Sequence, residues 1–198
     1  MNTPNLLNLE TWDSETGALN SIIETPKGSR NKFKYNPEQR LFFLNRVLPR
    51  GIVYPFSFGF IPSTLGEDGD PLDVLVLLDD PVPAGCKVRV RLIGVIDVEQ
   101  TEKSEKFRND RLIAIAQESE ENRNIGELKD LSPRLLDEIE HFFISSTELA
   151  GKQVKPRARR GPRHAEALVK QGMQRFAAKR TFAAKQSSQN GKQKTSNS

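Results

Sequence analysis

Between Ser21 and Gln117 the chain alternates short apolar runs with polar breaks, the period-two signature of half-buried strands. Phe33–Tyr35, Leu41–Leu44, Val53–Tyr54, Val74–Leu78, Val88–Ile93 and Leu112–Ala116 read as strands. Turns rich in proline and glycine, such as Pro26-Lys27-Gly28-Ser29 and Pro81-Val82-Pro83-Ala84-Gly85, separate them. Short strands at this spacing predict a small closed or nearly closed barrel. From Ser132 the period changes. Ser132 suits an N-cap and Pro133 a first helical position, with Leu135, Leu136, Ile139, Phe142 and Phe143 on one face. A second helix is predicted from about Pro162 to Lys179, with Ala165, Leu168, Val169 and Phe176 as its weaker apolar side. The expected fold class is mainly β with α: a small OB-like five-stranded barrel flanked by C-terminal helices.

The expected division of the chain is an N-terminal extension over residues 1–19, a barrel domain over 20–155, a basic segment and helix over 156–182, and a tail over 183–198. The tail is Lys, Gln, Ser, Asn and Gly without apolar periodicity, a composition that predicts disorder. Over all 198 residues the net charge is +4, but from Gly151 onward there are 13 Lys and Arg against one acid, Glu166. The body before it carries −8. An acidic body suits bound cations, and a basic tail suits a polyanion or plain solvation. The run holding Arg157, Arg159, Arg160 and Arg163 lacks interleaved aromatics, so a solvated linker is preferred over a nucleic-acid site. His164 reads as a surface residue and His141 as structural. The single cysteine, Cys86, permits no internal disulfide and reads as packing beside Val88. No apolar run approaches a membrane span, and no secretory leader is visible, so a cytoplasmic location is expected.

The chemistry concentrates in Asp68-Gly69-Asp70-Pro71-Leu72-Asp73, three carboxylates in six residues directly before an apolar strand. Gly69 and Pro71 impose a tight non-helical path that brings like charges into one small volume. Such repulsion is relieved by a hard cation with oxygen ligands, and magnesium is the economical choice. An ordinary acidic surface turn is the competing reading. The calcium loop with its fixed glycine and terminal Glu is missing. Upstream, Lys32 and Arg46 are candidate phosphate-binding cations, which turns the pairing toward phosphoryl chemistry.

At these residues the chain resembles the soluble family I inorganic pyrophosphatases. The matching pieces are Ile23-Glu24-Thr25-Pro26, Asn31-Lys32-Phe33, Phe43-Leu44-Asn45-Arg46, Tyr54-Pro55 through Gly59-Phe60-Ile61-Pro62, and Asp68 through Val76. Weaker pieces follow in the same order: Ile93-Gly94-Val95, Arg111 to Ile115, Glu140 to Phe143 and Leu149 to Lys152. The resemblance implies magnesium-dependent hydrolysis of inorganic pyrophosphate to two phosphates by a metal-activated water. It implies Asp70 as general base, Asp68 and Asp73 as metal ligands with Asp73 bridging, and Glu24 orienting a further ion through waters. Lys32, Arg46 and Arg111 would bind phosphate, Tyr54 would bond near the activated water, and Asn109 would fall at a metal-ligand position. A homo-oligomer, most often a hexamer, is the implied assembly. From the residues alone, Glu24 and Lys32 read equally as strand-surface charges, Arg46 as a partner of Glu38 or Asp70, and Tyr54 as core.

Several positions depart from the family pattern: Lys34 for an acid, Phe58 for a tyrosine, Asn109 for an aspartate, Arg111 for a lysine, Ser146-Thr147 for a Tyr-Lys pair, and Gln100 and Thr101 for two acids. Glu99, Glu102, Glu105 and Asp110 are the acids near enough in sequence to substitute. Three functions stay open: a pyrophosphatase, a hydrolase of another phosphoanhydride on the same fold, and a non-catalytic member whose acidic body or basic tail binds a partner.

Overall fold

In the computed structural model, which describes residues 4–149 and 151–195, one strand organises the sheet. The strands are β1 (Leu19–Thr25), β2 (Asn31–Asn36), β3 (Leu41–Val47), β4 (Ser57–Phe60), β5 (Asp73–Leu77), β6 (Lys87–Glu102), β7 (Glu105–Arg108), β8 (Arg111–Ala116) and β9 (Gln153–Arg160). The helices are α1 (Pro133–Glu148) and α2 (Pro162–Thr195). The neighbour order β1-β4-β5-β8-β6 closes on itself because the first four residues of β6, Lys87–Val90, also pair with β1. A ring of five strands results, and the expected barrel is present. Its pairings are antiparallel except between β5 and β8, which run parallel with Val74 opposite Leu112. Strands β2 and β3 form a separate hairpin.

Both faces of β5 and β8 are covered, which explains their unbroken apolar runs. Leu75, Leu77, Ile113 and Ile115 join a core with Leu136, Ile139 and Phe143 of α1. Val74, Val76, Leu112, Ala114 and Ala116 join another with Ala165 and Val169 of α2. Helix α1 begins as its sequence predicts: Pro133 is first, and the Ser132 side chain accepts from the Leu135 N–H. A third core holds Ile22, Tyr35 and Phe60, with Leu6, Leu7 and Leu9 of the N-terminal extension packed on it.

Four sequence expectations change. Val53 and Tyr54 lie outside any strand, because Pro55 follows directly and removes a ladder donor. The basic run expected as a solvated linker is strand β9, paired along β6 from Thr101↔Gln153 to Val95↔Arg160, so the boundary drawn at 155/156 falls inside a strand. Its arginines are matched across the ladder and to α1: Arg157 to Glu99 at 2.9 Å and Arg160 to Asp97 at 3.2 Å on β6, and Arg159 to Glu140 at 2.7 Å and Asp137 at 2.6 Å on α1. Alternation of Val154, Pro156 and Ala158 with polar residues was the missed signal. His141 is exposed on α1 rather than packed with Phe142 and Phe143. Finally, α2 continues past Lys179 to Thr195, into the segment expected to be disordered; Ala, Lys and Gln are strong helix formers. Residues 196–198 of that segment, residues 1–3 of the N-terminal extension and Ala150 lie outside the described residues. Cys86 is a free thiol against the Val88 core, as expected. Among the described residues no helix is long and apolar enough to cross a membrane.

Candidate active site

Strand register, not sequence proximity, gathers the site. Asp73 opens β5 and Arg111 opens β8, and parallel pairing sets these two first residues side by side. Their side chains form an ion pair, with Arg111 almost fully buried at 7% exposure. On the hairpin, Lys32 of β2 lies opposite Arg46 of β3, and Lys34 follows two residues on along β2. Glu24 projects from β1. The turn before β5, with Gly69 at φ +85°, brings in Asp68 and Asp70. All these residues, with Asn109 and Gln100, line one cavity of about 1060 Å³.

Each acid has a different environment. Burial pushes the Glu24 carboxyl up to about 7, against the pull of the Tyr35 N–H that it accepts at 3.0 Å; nearby Asp73 raises it further. Asp68 rises to about 6, first because the concave wall displaces water and then because Asp73 and Asp70 are close. Asp70 accepts from the Lys34 ammonium at 2.8 Å. That contact and the Asp70 charge outweigh burial, so Lys34 sits above the usual lysine range. Lys32 goes the other way: burial lowers it, Asp73 restores part, and Arg111 and Arg46 lower it again. A buried ammonium crowded by two guanidiniums is a site asking for an anion.

Tyr54 differs from expectation. It is 3% exposed and does not line the cavity; its ring packs against Phe142 at 4.9 Å and Phe58 at 5.9 Å. Burial pushes its hydroxyl up to about 12, and the Arg46 guanidinium lies against that hydroxyl. Arg46 links it to the cavity.

The family model for inorganic pyrophosphatase matches residues 21–177, from within β1 to within α2. The chain belongs to the inorganic pyrophosphatase family. An inorganic pyrophosphatase of Thermus thermophilus is 38% identical over 151 residues, 76% of this chain and 84% of that protein. A soluble inorganic pyrophosphatase of Oryza sativa subsp. indica is 37% identical over 147 residues, 74% of this chain; the chain spans 66% of the rice protein's length. The crystal structure of the Thermus thermophilus enzyme superposes with a TM-score of 0.80 at 35% identity, covering 88% of this chain and 99% of that one.

Pyrophosphatases of this family are typically metal-dependent, and the two sides of the cavity fit an ion differently. Asp68 has no cation at ion-pair distance among the described residues, and the Asp70 N–H and the Arg111 charge offset only part of what burial and Asp73 impose on it. No three His, Cys, Asp or Glu side chains among those residues converge into a full cage. Magnesium is suited to such a place, since it keeps several waters and takes only one or two carboxylates plus phosphate oxygens. On the opposite side Asn109 and Gln100 offer only neutral amides, joined to each other at 3.1 Å. The Asp68–Asp73 side fits a hard cation; the Asn109 side does not.

Sequence reasoning missed the rim. Phe176, Lys179, Arg180 and Ala183 of α2 border the cavity, as do Leu7 and Asn8. Their spacing, one helical face at i, i+3, i+4 and i+7, was legible once the helix was carried past Lys179.

The Glu24 environment has a measurable consequence. Folding raises its carboxyl from 4.5 to about 7, so the folded state binds the proton more tightly. Stability from this group is full below about pH 4.5 and is lost as pH rises through 7. Glu24→Gln should remove that loss, making the magnesium-free protein more stable than the parent at pH 8 by on the order of 3 kcal/mol and about equal at pH 4.5. Denaturant titrations at the two pH values check it; an equal difference at both would rule out the linkage.

Proposed function

We propose that this chain hydrolyses inorganic pyrophosphate to two phosphates with magnesium. The observation that supports this best is the single cavity in which Asp68, Asp70 and Asp73 face Lys32, Arg46 and Arg111. Asp68 and Asp73 would hold the ion. When bound, magnesium supplies charge against the substrate's phosphates and acidifies the attacking water. Asp70 takes the proton of that water. Lys34 is held on its Oδ2, leaving the other oxygen for the transfer. Lys32 and Arg46 hold phosphate oxygens; the Arg46 fork suits two oxygens at once, and Tyr54 fixes its plane. Anion binding relieves the crowding of cations around Lys32, so part of the binding energy is already present in the free protein. Catalysis on this reading is mostly positioning and electrostatics, as phosphoryl transfer requires.

A second reading, another phosphoanhydride, is favoured by one observation. The cavity extends to Phe176, Lys179 and Arg180, well beyond a pyrophosphate-sized volume. Phosphate release from pyrophosphate, tripolyphosphate, ADP and ATP at fixed magnesium separates the readings. A preference for pyrophosphate of at least about tenfold in kcat/KM, roughly 1.4 kcal/mol, is expected; faster release from a longer chain would reverse the assignment. The exposed apolar side chains Leu41, Phe43, Leu44 and Val47 on β3 support a homo-oligomer, hexameric by resemblance. The lone free cysteine suits the reducing cytoplasm.

A further inference from the structure

Among the described residues the cavity wall carries seven carboxylates and seven Lys or Arg side chains, so that wall is balanced before any metal enters. Such balance is unusual for a site that must attract several divalent ions, and the individual pairings show how it arises. Arg111 engages both Asp73 and the side-chain oxygen of Asn109. Its guanidinium rests 5.4 Å over the ring of Phe143, a core residue of α1, which fixes it from below. The Asn109 amide donates to Gln100, so both ends of Asn109 are committed within the protein. Nε of Arg111 is buried without an acceptor, and an unfilled donor repels a cation.

The nearby acids do not replace what Asn109 and Gln100 lack. Asp110 accepts from the Val98 N–H at 2.9 Å and pairs with Arg108 at 2.8 Å, outside the cavity. Glu99 is held by Lys106 and Arg157, outside the cavity; Glu102 lines the cavity but is held by Lys152 at 2.7 Å. Glu105 reaches only the rim, on the exposed β6–β7 hairpin.

We infer that the β8 side, where Arg111 is committed to Asp73 and Asn109 and the facing groups are neutral amides, takes no divalent ion, so that each chain binds a single magnesium ion, on the Asp68 side. A second ion there would have to strip Arg111 from Asp73 and then sit a few ångströms from a fixed positive charge, with neutral amides as its other ligands. The guanidinium cannot be deprotonated at any working pH and is clamped by packing, so it supplies its charge without depending on free metal. Asn109 thus serves as a positioning residue for Arg111 rather than as a metal ligand.

The inference rests on Asp68 and Asp73 holding an ion, and counting ions tests it without reference to hydrolysis. Equilibrium dialysis of the full metal-free chain against Mn²⁺, up to millimolar concentration, should give one ion per chain, lost in Asp68→Asn. The double variant Asn109→Asp, Arg111→Met restores a carboxylate and removes the cation, and should bind two. Two or more ions in the parent, or one only in the folded double variant, would overturn the inference. No ion in the parent would overturn the reading of Asp68 and Asp73, and this with it. Should the double variant fail to fold by circular dichroism, the parent's count decides alone.

Discussion

Replacing Asp70 by asparagine is expected to lower turnover at saturating magnesium by about two orders of magnitude or more, the usual scale for losing a positioned base. The change keeps size and shape while removing the proton acceptor. It also breaks the contact with Lys34, but that pair is open to solvent, with 43% and 54% of the two side chains exposed. A pair so exposed contributes about 0–1 kcal/mol, so the melting temperature should hardly move. Steady-state phosphate release and a thermal scan on the same preparation separate the effects. Turnover near the parent's value, with the fold intact, would show that Asp70 only anchors Lys34.

The second large effect is on the fold. A Cβ at Gly59 would sit 2.0 Å from the carbonyl oxygen of Ile22, 2.8 Å from its carbon and 3.0 Å from the Cα of Ile23. These atoms are backbone of β1, across the ladder where Gly59 pairs with Ile23, and no side chain can turn away to make room. Gly59→Ala should therefore push β4 off β1 at a cost of about 3 kcal/mol or more. In a chain of this size that is roughly a 10 °C fall in melting temperature. Phe58, on the cavity wall, moves with it, so activity should fall in the surviving folded fraction. A melting temperature within about two degrees of the parent's would mean the strands can separate there at little expense.

Much of this was legible beforehand. The strands with clean alternation or unbroken apolar runs were visible because burial on one or both faces dictates them, as in β5 and β8. The start of α1 was visible because capping is local chemistry at Ser132 and Pro133. Strand β9 was hidden by its arginines, whose role depends on acids of β6 and α1 more than fifteen residues away. Of the site, the acidic turn and the cations of the hairpin could be named from motif and charge. Their partners could not. That Lys34 holds Asp70 and Arg111 holds Asp73 follows from register between strands far apart in the chain. Gly59 was visible as part of a motif, but the reason for a glycine there is a backbone approach that only the ladder reveals.

The parallel pairing of β5 and β8 also sets a schedule. Asp73 and Arg111 are separated by 38 positions, and everything between them, β6 and β7 included, must be laid down before the two can meet. Hairpins such as β2–β3 close locally and early, whereas a non-local parallel contact comes late. During synthesis the Asp73–Arg111 pair thus cannot exist until β8 has emerged. A nascent chain would already hold the acidic turn and the β2–β3 hairpin, with strands β1 to β7, while still lacking the ion pair that joins β5 to β8.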